Sequence, residues 1–267
     1  MENFSEIALF LRDLSKKAEE ILLKHYAPGG QPFDLKEDNS HVTKADLEVN
    51  DMVIKEINEH YPDYGVLAEE ESVNEDREKL FVIDPLDGTR MFVAGAPLFC
   101  FSAAVVIDGE SQAGVLCNPL AKRTLLAEKG KGAYIVETNK KIKVSEKETL
   151  DGAMVNDGWR RVVTAKLLHE AGAMTPQLYV VTEIAQLIAT GGFDGEIFLG
   201  VMAHDVAAAK IVVEEAGGRV TDIEGKQQRY DRKVLGAIIS NGKLHDAILD
   251  IVDKGKLVQL FKDQYPD

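Results

Sequence analysis

The chain has 267 residues, 45% of them hydrophobic and 28% charged, an ordinary composition for a folded protein with one large core or two tightly joined lobes. Its formal charge of −14 argues against binding to polymeric nucleic acid or an acidic membrane surface and favours cations as counterions. Two cysteines, Cys100 and Cys117, exclude a disulfide framework or a four-cysteine zinc site, and the six histidines show no paired zinc spacing. The acidic start "MENFSEIALFLRDL" lacks the basic region of a signal peptide, and no apolar run approaches about 18 residues, so a cytoplasmic protein is expected.

From Phe4 to Leu22, apolar residues step by threes and fours and predict an amphipathic helix. "APGGQPFD" (27–34) breaks it, and Ala45, Val49, Met52, Val53 and Ile57 then mark a second helix that closes before Pro62. After "GVLAEEES" the pattern turns to short strands at 80–84, 101–107, 113–118, 123–128 and 132–136. Their spacing predicts mostly antiparallel pairing in one sheet. The second half alternates: strand 153–156, helix 160–171, strand 178–181, helix 182–190, strand 196–200, helix 206–216, strands 219–222 and 234–240, and helix 242–253. The fold class is therefore α/β with mixed α+β elements. An N-terminal α+β lobe (1–145) and a C-terminal α/β lobe (146–267) are expected to form one compact unit with a cleft between them, because no linker or repeat intervenes.

Three acidic features stand out. In "FVIDPLDGTRMF" Asp84 ends an apolar strand, Pro85 is expected to turn the chain out of the sheet, and Asp87 follows three residues on. Two carboxylates that close repel unless a cation lies between them, while the amides of Gly88 and Thr89, ahead of a helix starting near Arg90, can hold an anion. An ordinary Pro-Leu-Asp-Gly turn, with Asp87 and Thr89 as local caps, accounts for the stretch alone equally well. Glu69, Glu70 and Glu71 taken alone read as solvated charge, and Asp205, at the head of the alanine-rich "HDVAAAKIVVEEAGG", reads as a helix N-cap. The three gain meaning only together, with Ala207, Ala208 and Ala209 letting that helix approach another backbone closely.

In their order and spacing, "VTKAD" (42–46), "AEE" (68–70), "DPLDGT" (84–89) and "HDVAAAK…EEAGG" (204–218) resemble the four signatures of the inositol monophosphatase superfamily. This is a group of Mg2+-dependent, lithium-sensitive phosphatases that includes 3'(2'),5'-bisphosphate nucleotidases and archaeal-type fructose bisphosphatases. The resemblance covers about residues 40 to 240. It implies a layered αβαβα sandwich, a small phosphorylated substrate, two or three Mg2+ ions and the homodimer common in the family. By similarity Glu69, Asp84, Asp87 and Asp205, with the Leu86 carbonyl, would ligate metal, with Glu70 as the neighbour if the match shifts by one. Gly88 and Thr89 would hold phosphate, and Asp46 with Thr89 would orient and deprotonate the attacking water, Glu69 assisting. Oxygen ligands suit Mg2+ rather than softer metals.

Departures fall where substrate is chosen. His204 stands where the family usually has Trp, able to touch a hydroxyl or to pack in the wall, and Phe198 stands where inositol-selective members carry a Glu. The Gly-Thr or Gly-Ser before the preceding helix becomes "YVVTEIA". Arg90 resembles the basic residue of bisphosphate nucleotidases, and Trp159, Arg160 and Arg161 could stack a base and pair a second phosphate, or simply open a helix with solvated charge. The resemblance thus points to a phosphomonoesterase acting on an inositol, other polyol or sugar monophosphate. A bisphosphate nucleotidase and a fructose-1,6-bisphosphatase stand as enzymatic alternatives. A metal- or sugar-phosphate-binding protein of the same fold is the non-enzymatic one; the loss of a ligand or of Thr89 would favour it, and none is lost.

Overall fold

A computed structural model describes residues 3–36, 40–158 and 162–264; the Trp159–Arg161 cluster singled out above lies outside the described residues. Helix α1 (Glu6–His25) opens the chain, a two-residue-per-strand hairpin β1 (Asp34–Leu35) and β2 (His41–Val42) follows, and helix α2 (Lys44–His60) completes the first layer. The strands β3 (Gly65–Ala68), β4 (Lys79–Asp87), β5 (Cys100–Ile107), β6 (Glu110–Asn118), β7 (Arg123–Glu128), β8 (Gly132–Ile135) and β9 (Lys140–Lys141) form a seven-stranded sheet in chain order. Only β3 and β4 pair in parallel, so the expected antiparallel meander of five strands is present with one extra strand at each edge, β3 and β9. The five-residue helix α3 (Thr89–Val93) sits between β4 and β5.

The second half builds a four-stranded sheet, in the order β10 (Val155–Asn156), β11 (Gly195–Phe198), β13 (Ala237–Ser240), β12 (Arg219–Thr221). Its helices are α4 (Val162–Glu170), α5 (Val181–Ala189), α6 (Ala207–Glu215), α7 (His245–Lys254) and α8 (Leu257–Gln264). Helices α5 and α6 pack on both sheets, and α4 and α7 cover the far side, which gives the αβαβα layering.

Strand alternation explains the layers. On β4, Phe81 and Ile83 point towards α1 and α2, where Leu11, Leu14, Val49 and Val53 meet them, while Leu80 and Val82 point towards α5 and α6. Each such large apolar side chain, once buried, contributes roughly 1.5–3 kcal/mol. Where α6 crosses β6, the inner face of the sandwich narrows to small residues. A Cβ on Gly114 of β6 would stand 3.1 Å from the Cα of Ala208 and 2.5 Å from Cγ2 of Ile211, so glycine against alanine is what seats α6 directly on the sheet.

Three expectations need correction. The chain does not leave the sheet at Pro85: β4 runs on to Asp87, with Asp84 opposite Ser102 and Asp87 opposite Cys100. Three steps on β4 thus match two on β5, a bulge that absorbs the proline. The apolar run at 178–181 is not a strand. The buried Asn156 side chain takes the role of a partner strand there, its Oδ1 accepting from Leu178 N at 2.9 Å and its amide donating to Leu178 O at 3.2 Å, and the chain turns into α5 at Val181. Asp205 does not cap a helix. It ends a 3-10 turn, Ala203–Asp205, and Val206 occupies the cap position of α6 with no side-chain bond.

Candidate active site: a cleft of acids

Parity governs the first pair of acids. In an uninterrupted strand, residues three apart face opposite sides, and the bulge at Pro85 restores both Asp84 and Asp87 to the α5/α6 side while Leu86 stays with the α1/α2 core. Both carboxylates are buried, at 1% and 8% exposure. The 3-10 turn carrying Asp205 packs on β4 and β5, and β3, pairing in parallel with β4, delivers Glu69 to the same end. Acids from three remote stretches therefore converge.

Their electrostatics record the convergence. Asp84 is pushed well above the usual carboxylate range, by burial first and then by Glu69, Asp87 and Asp205. Asp87 is raised to about 7 by burial and by Asp205, although bonds from Thr182 oppose the shift. Burial and then Glu69 raise Asp205 to about 8; its side chain keeps 22% of its surface open, so water at the mouth screens part of that repulsion. Of the neighbouring glutamates, Glu69 is the one whose charge bears on Asp84, Asp87 and Asp205, while Glu70, 7% exposed, is raised mainly by burial.

A protein cation answers this charge. Lys36, which the sequence reading did not single out, reaches Glu69 Oε1 at 2.9 Å and Glu70 Oε1 at 2.6 Å. Burial works against its charge, but the two glutamates prevail and its pKa is raised. Nothing in the polar stretch around it marks this lysine beforehand. Among the described residues no three His, Cys, Asp or Glu side chains are gathered tightly enough to enclose an ion as they stand. The donor set nonetheless fits a hard divalent cation: oxygens only, several negative charges at one end of a sheet, and an ammonium already drawn to the rim.

Beside the acids lies a second constellation. Asp46 is the third residue of α2; its Oδ2 accepts from Thr43 N at 2.8 Å and from Thr43 Oγ1 at 2.6 Å, and its own backbone N–H donates back to the Thr43 side chain, a reciprocal capping box. That fixes the carboxylate so that Oδ1 faces Thr89 Oγ1 at 3.3 Å. The same hydroxyl lies 3.0 Å from Leu86 O, and its one proton serves one of these acceptors at a time. Burial raises the Asp46 pKa despite the Thr43 bonds. Gly88, at φ 91°, caps α3, which begins at Thr89 rather than at Arg90. A Cβ there would lie 2.7 Å from Val180 Cγ2, so only glycine lets the start of α5 close on this loop.

Three more of the expected residues lie as follows. His204 is buried, its Nε2 3.8 Å from Asp205 Oδ1, and burial lowers its pKa, which keeps the ring neutral. Phe198 is half-buried, its ring folded over Gly200, and Arg90 is exposed on α3. Two further residues went unnoticed in the sequence. Thr182 is fully buried in the first turn of α5 and donates its N–H at 2.8 Å and its hydroxyl at 2.6 Å to Asp87 Oδ2. Glu196 is buried below the acids with Oε1 3.2 Å from Asn156 Nδ2 and Oε2 without a partner, and burial holds it well above the usual carboxylate range. Threonine at a helix start was the available hint for the first. An acid inside an apolar strand was the hint for the second.

The chain is similar in sequence and in fold to known proteins. The inositol monophosphatase family profile matches residues 3–257. A Thermotoga maritima protein named fructose-1,6-bisphosphatase/inositol-1-monophosphatase is 34% identical over 80% of this chain and 82% of its own. A Pasteurella multocida protein named Nus factor SuhB is 30% identical over 79% and 83%. Among solved structures, a Thermotoga maritima IMPase superposes with a TM-score of 0.86 at 30% identity, covering 95% of this chain and 100% of that one.

Proposed function

The chain belongs to the inositol monophosphatase family, a family of phosphatases, and from that premise we propose that it is a Mg2+-dependent phosphomonoesterase acting on a phosphorylated polyol or sugar. The observation that carries the reading is the meeting of Glu69, Asp84, Asp87 and Asp205 beside the Asp46–Thr89 pair. Asp84, Asp87, Asp205, Glu69 and the Leu86 carbonyl would hold two or three Mg2+ ions. Mg2+, when bound, supplies the positive charge that lets a phosphate dianion enter an acidic cleft, and acidifies water there.

The other steps belong to the protein. The Gly88 and Thr89 amides at the start of α3 hold the phosphate oxygens, and the Thr89 hydroxyl orients the attacking water. Asp46, kept in place by its capping box and raised in pKa by burial, takes the proton; a carboxylate basicity closer to neutral suits that role. Glu69, held at the rim by Lys36, would assist. His204 and Phe198 shape the substrate wall, and Glu70 and Arg90 flank its mouth.

The test is phosphate release with Mg2+ on inositol 1-phosphate, fructose 1,6-bisphosphate and adenosine 3',5'-bisphosphate. Release that vanishes with EDTA and has the highest kcat/KM on a polyol or sugar phosphate supports the reading, as would inhibition by lithium. A preference for the adenosine compound would move the assignment to a bisphosphate nucleotidase. No release from any of the three, with Mg2+ still bound, would leave a binding protein of the same fold.

A further inference from the structure

We propose that Thr182 is a positioning residue that fixes which oxygen of Asp87 meets the cation, an inference that rests on the metal-dependent reading above. Helix α5 has Val180 at its cap position and no side-chain bond there, so the amides of its first turn need an acceptor from elsewhere. Asp87 provides it across 95 residues of chain, and does so with Oδ2, which takes both the N–H and the hydroxyl of Thr182. Two donors on one oxygen hold the carboxylate in one rotamer and leave Oδ1 as the oxygen available to a metal. Outer partners of this kind orient ligands without touching the ion.

Thr182 is itself held from two directions. From the four-stranded sheet, Asn156 grips both backbone groups of Leu178, just ahead of α5. From the seven-stranded sheet, Asn118 and Arg123 bind the neighbouring Glu183 at 2.8 and 2.6 Å, and Arg123 also reaches Gln186 at 3.0 Å. The start of α5 additionally closes on Gly88, which stands next to Asp87. Thr182 is thus a rigid post between two sheets, aimed at one oxygen. Threonine is not needed there for packing alone, since valine has the same shape; what the hydroxyl adds is the second bond to Asp87.

The experiment compares wild type, Thr182→Val, Thr182→Ala and Thr182→Ser. Mg2+ affinity is read by calorimetric titration and by the Mg2+-dependent rise in melting temperature, alongside the kcat and the Mg2+ activation constant of phosphate release. Valine and alanine should weaken Mg2+ binding by about tenfold or more, and serine should restore it to within about twofold. The activation constant should move more than the kcat at saturating Mg2+. Should valine destabilise the fold, alanine, which sets no methyl against the carboxylate, is read in its place. Variants that lower the melting temperature but bind Mg2+ as wild type does would overturn the proposal and leave Thr182 a packing residue. Failure of the underlying reading would look different: the wild-type chain itself would neither bind Mg2+ nor release phosphate.

Discussion

Two buried acid groups lie within a few residues of each other on the inner face of the seven-stranded sheet, and they are built on opposite plans. Glu183 is balanced: Arg123 donates to it at 2.6 Å, Asn118 at 2.8 Å and the Cys100 thiol at 3.5 Å. Cys100 is in turn the cross-strand neighbour of Asp87, which belongs to the other group. In that second group Asp84, Asp87 and Asp205 crowd together, and the Lys36 ammonium nearby is bound at the rim by Glu69 and Glu70. A buried charge with its partners supplied serves the fold, whereas one left in deficit stores a demand for a cation. The balanced cluster holds the helix that positions the unbalanced one.

That contrast can be broken or sharpened by measurement. The largest effect is expected from Asp84→Asn, which should cut phosphate release by about a thousandfold, some 4 kcal/mol in activation free energy. In Mg2+-free buffer the same variant should melt at a higher temperature than wild type, because it removes repulsion; a lower melting temperature would erase the distinction between the clusters. Arg123→Ala should do the reverse. Leaving Glu183 buried without its cation should cost about 3 kcal/mol in denaturant unfolding, and, by loosening the start of α5 behind Thr182, it should weaken Mg2+ binding by the folded fraction less than Thr182→Val does.

A third test uses pH, where two groups carry opposite signs. His245 is fully buried with its ring nitrogens 2.9 Å from Thr221 Oγ1 and 2.8 Å from Ser240 Oγ, and burial first, then Arg219, lowers its pKa to about 4. The unfolded chain binds that proton near pH 6.5 and the folded one does not, so this contribution is present above pH 6.5 and about 3 kcal/mol is lost as pH falls towards 4. Asp87 and Asp205, raised to about 7 and 8, do the opposite. The folded chain binds protons that the unfolded one releases, so the Mg2+-free protein should gain on the order of 1–2 kcal/mol as pH falls from about 8 to 6. Saturating Mg2+ should abolish that gain and leave the His245 loss, a difference that urea unfolding at a series of pH values would resolve. A gain that persists in Mg2+ would detach it from the acid cluster.

What the sequence made legible follows from periodicity. Residues 4–22 and 45–57 show helical spacing because each lays one face on the sheet, and the strands from Leu80 to Val136 stand out because turns such as Asp108-Gly109 separate them. The acids themselves were legible through their motifs. Their convergence was expected only through the resemblance, and no local pattern accounts for it. It depends on one extra residue at Pro85, which no local preference announces, and on a 3-10 turn that carries Asp205 where a helix cap was expected. The apolar run at 178–181 misled because a side chain, Asn156, took the place of a strand. Lys36 and Thr182 were invisible for a related reason: each matters only through a partner more than thirty residues away.

The seating of α6 on Gly114 has a consequence for timing. Asp205 reaches Asp84 only when the helix after it has docked on a strand laid down about ninety residues earlier, so a nascent chain that has emerged only as far as β9 holds Glu69, Asp84 and Asp87 but not their fourth companion. The site is therefore a late product of folding, completed by a long-range contact after the sheet has formed. Unfinished chains on the ribosome lack the full acid set, and the demand for a cation is complete only with the last layers of the sandwich.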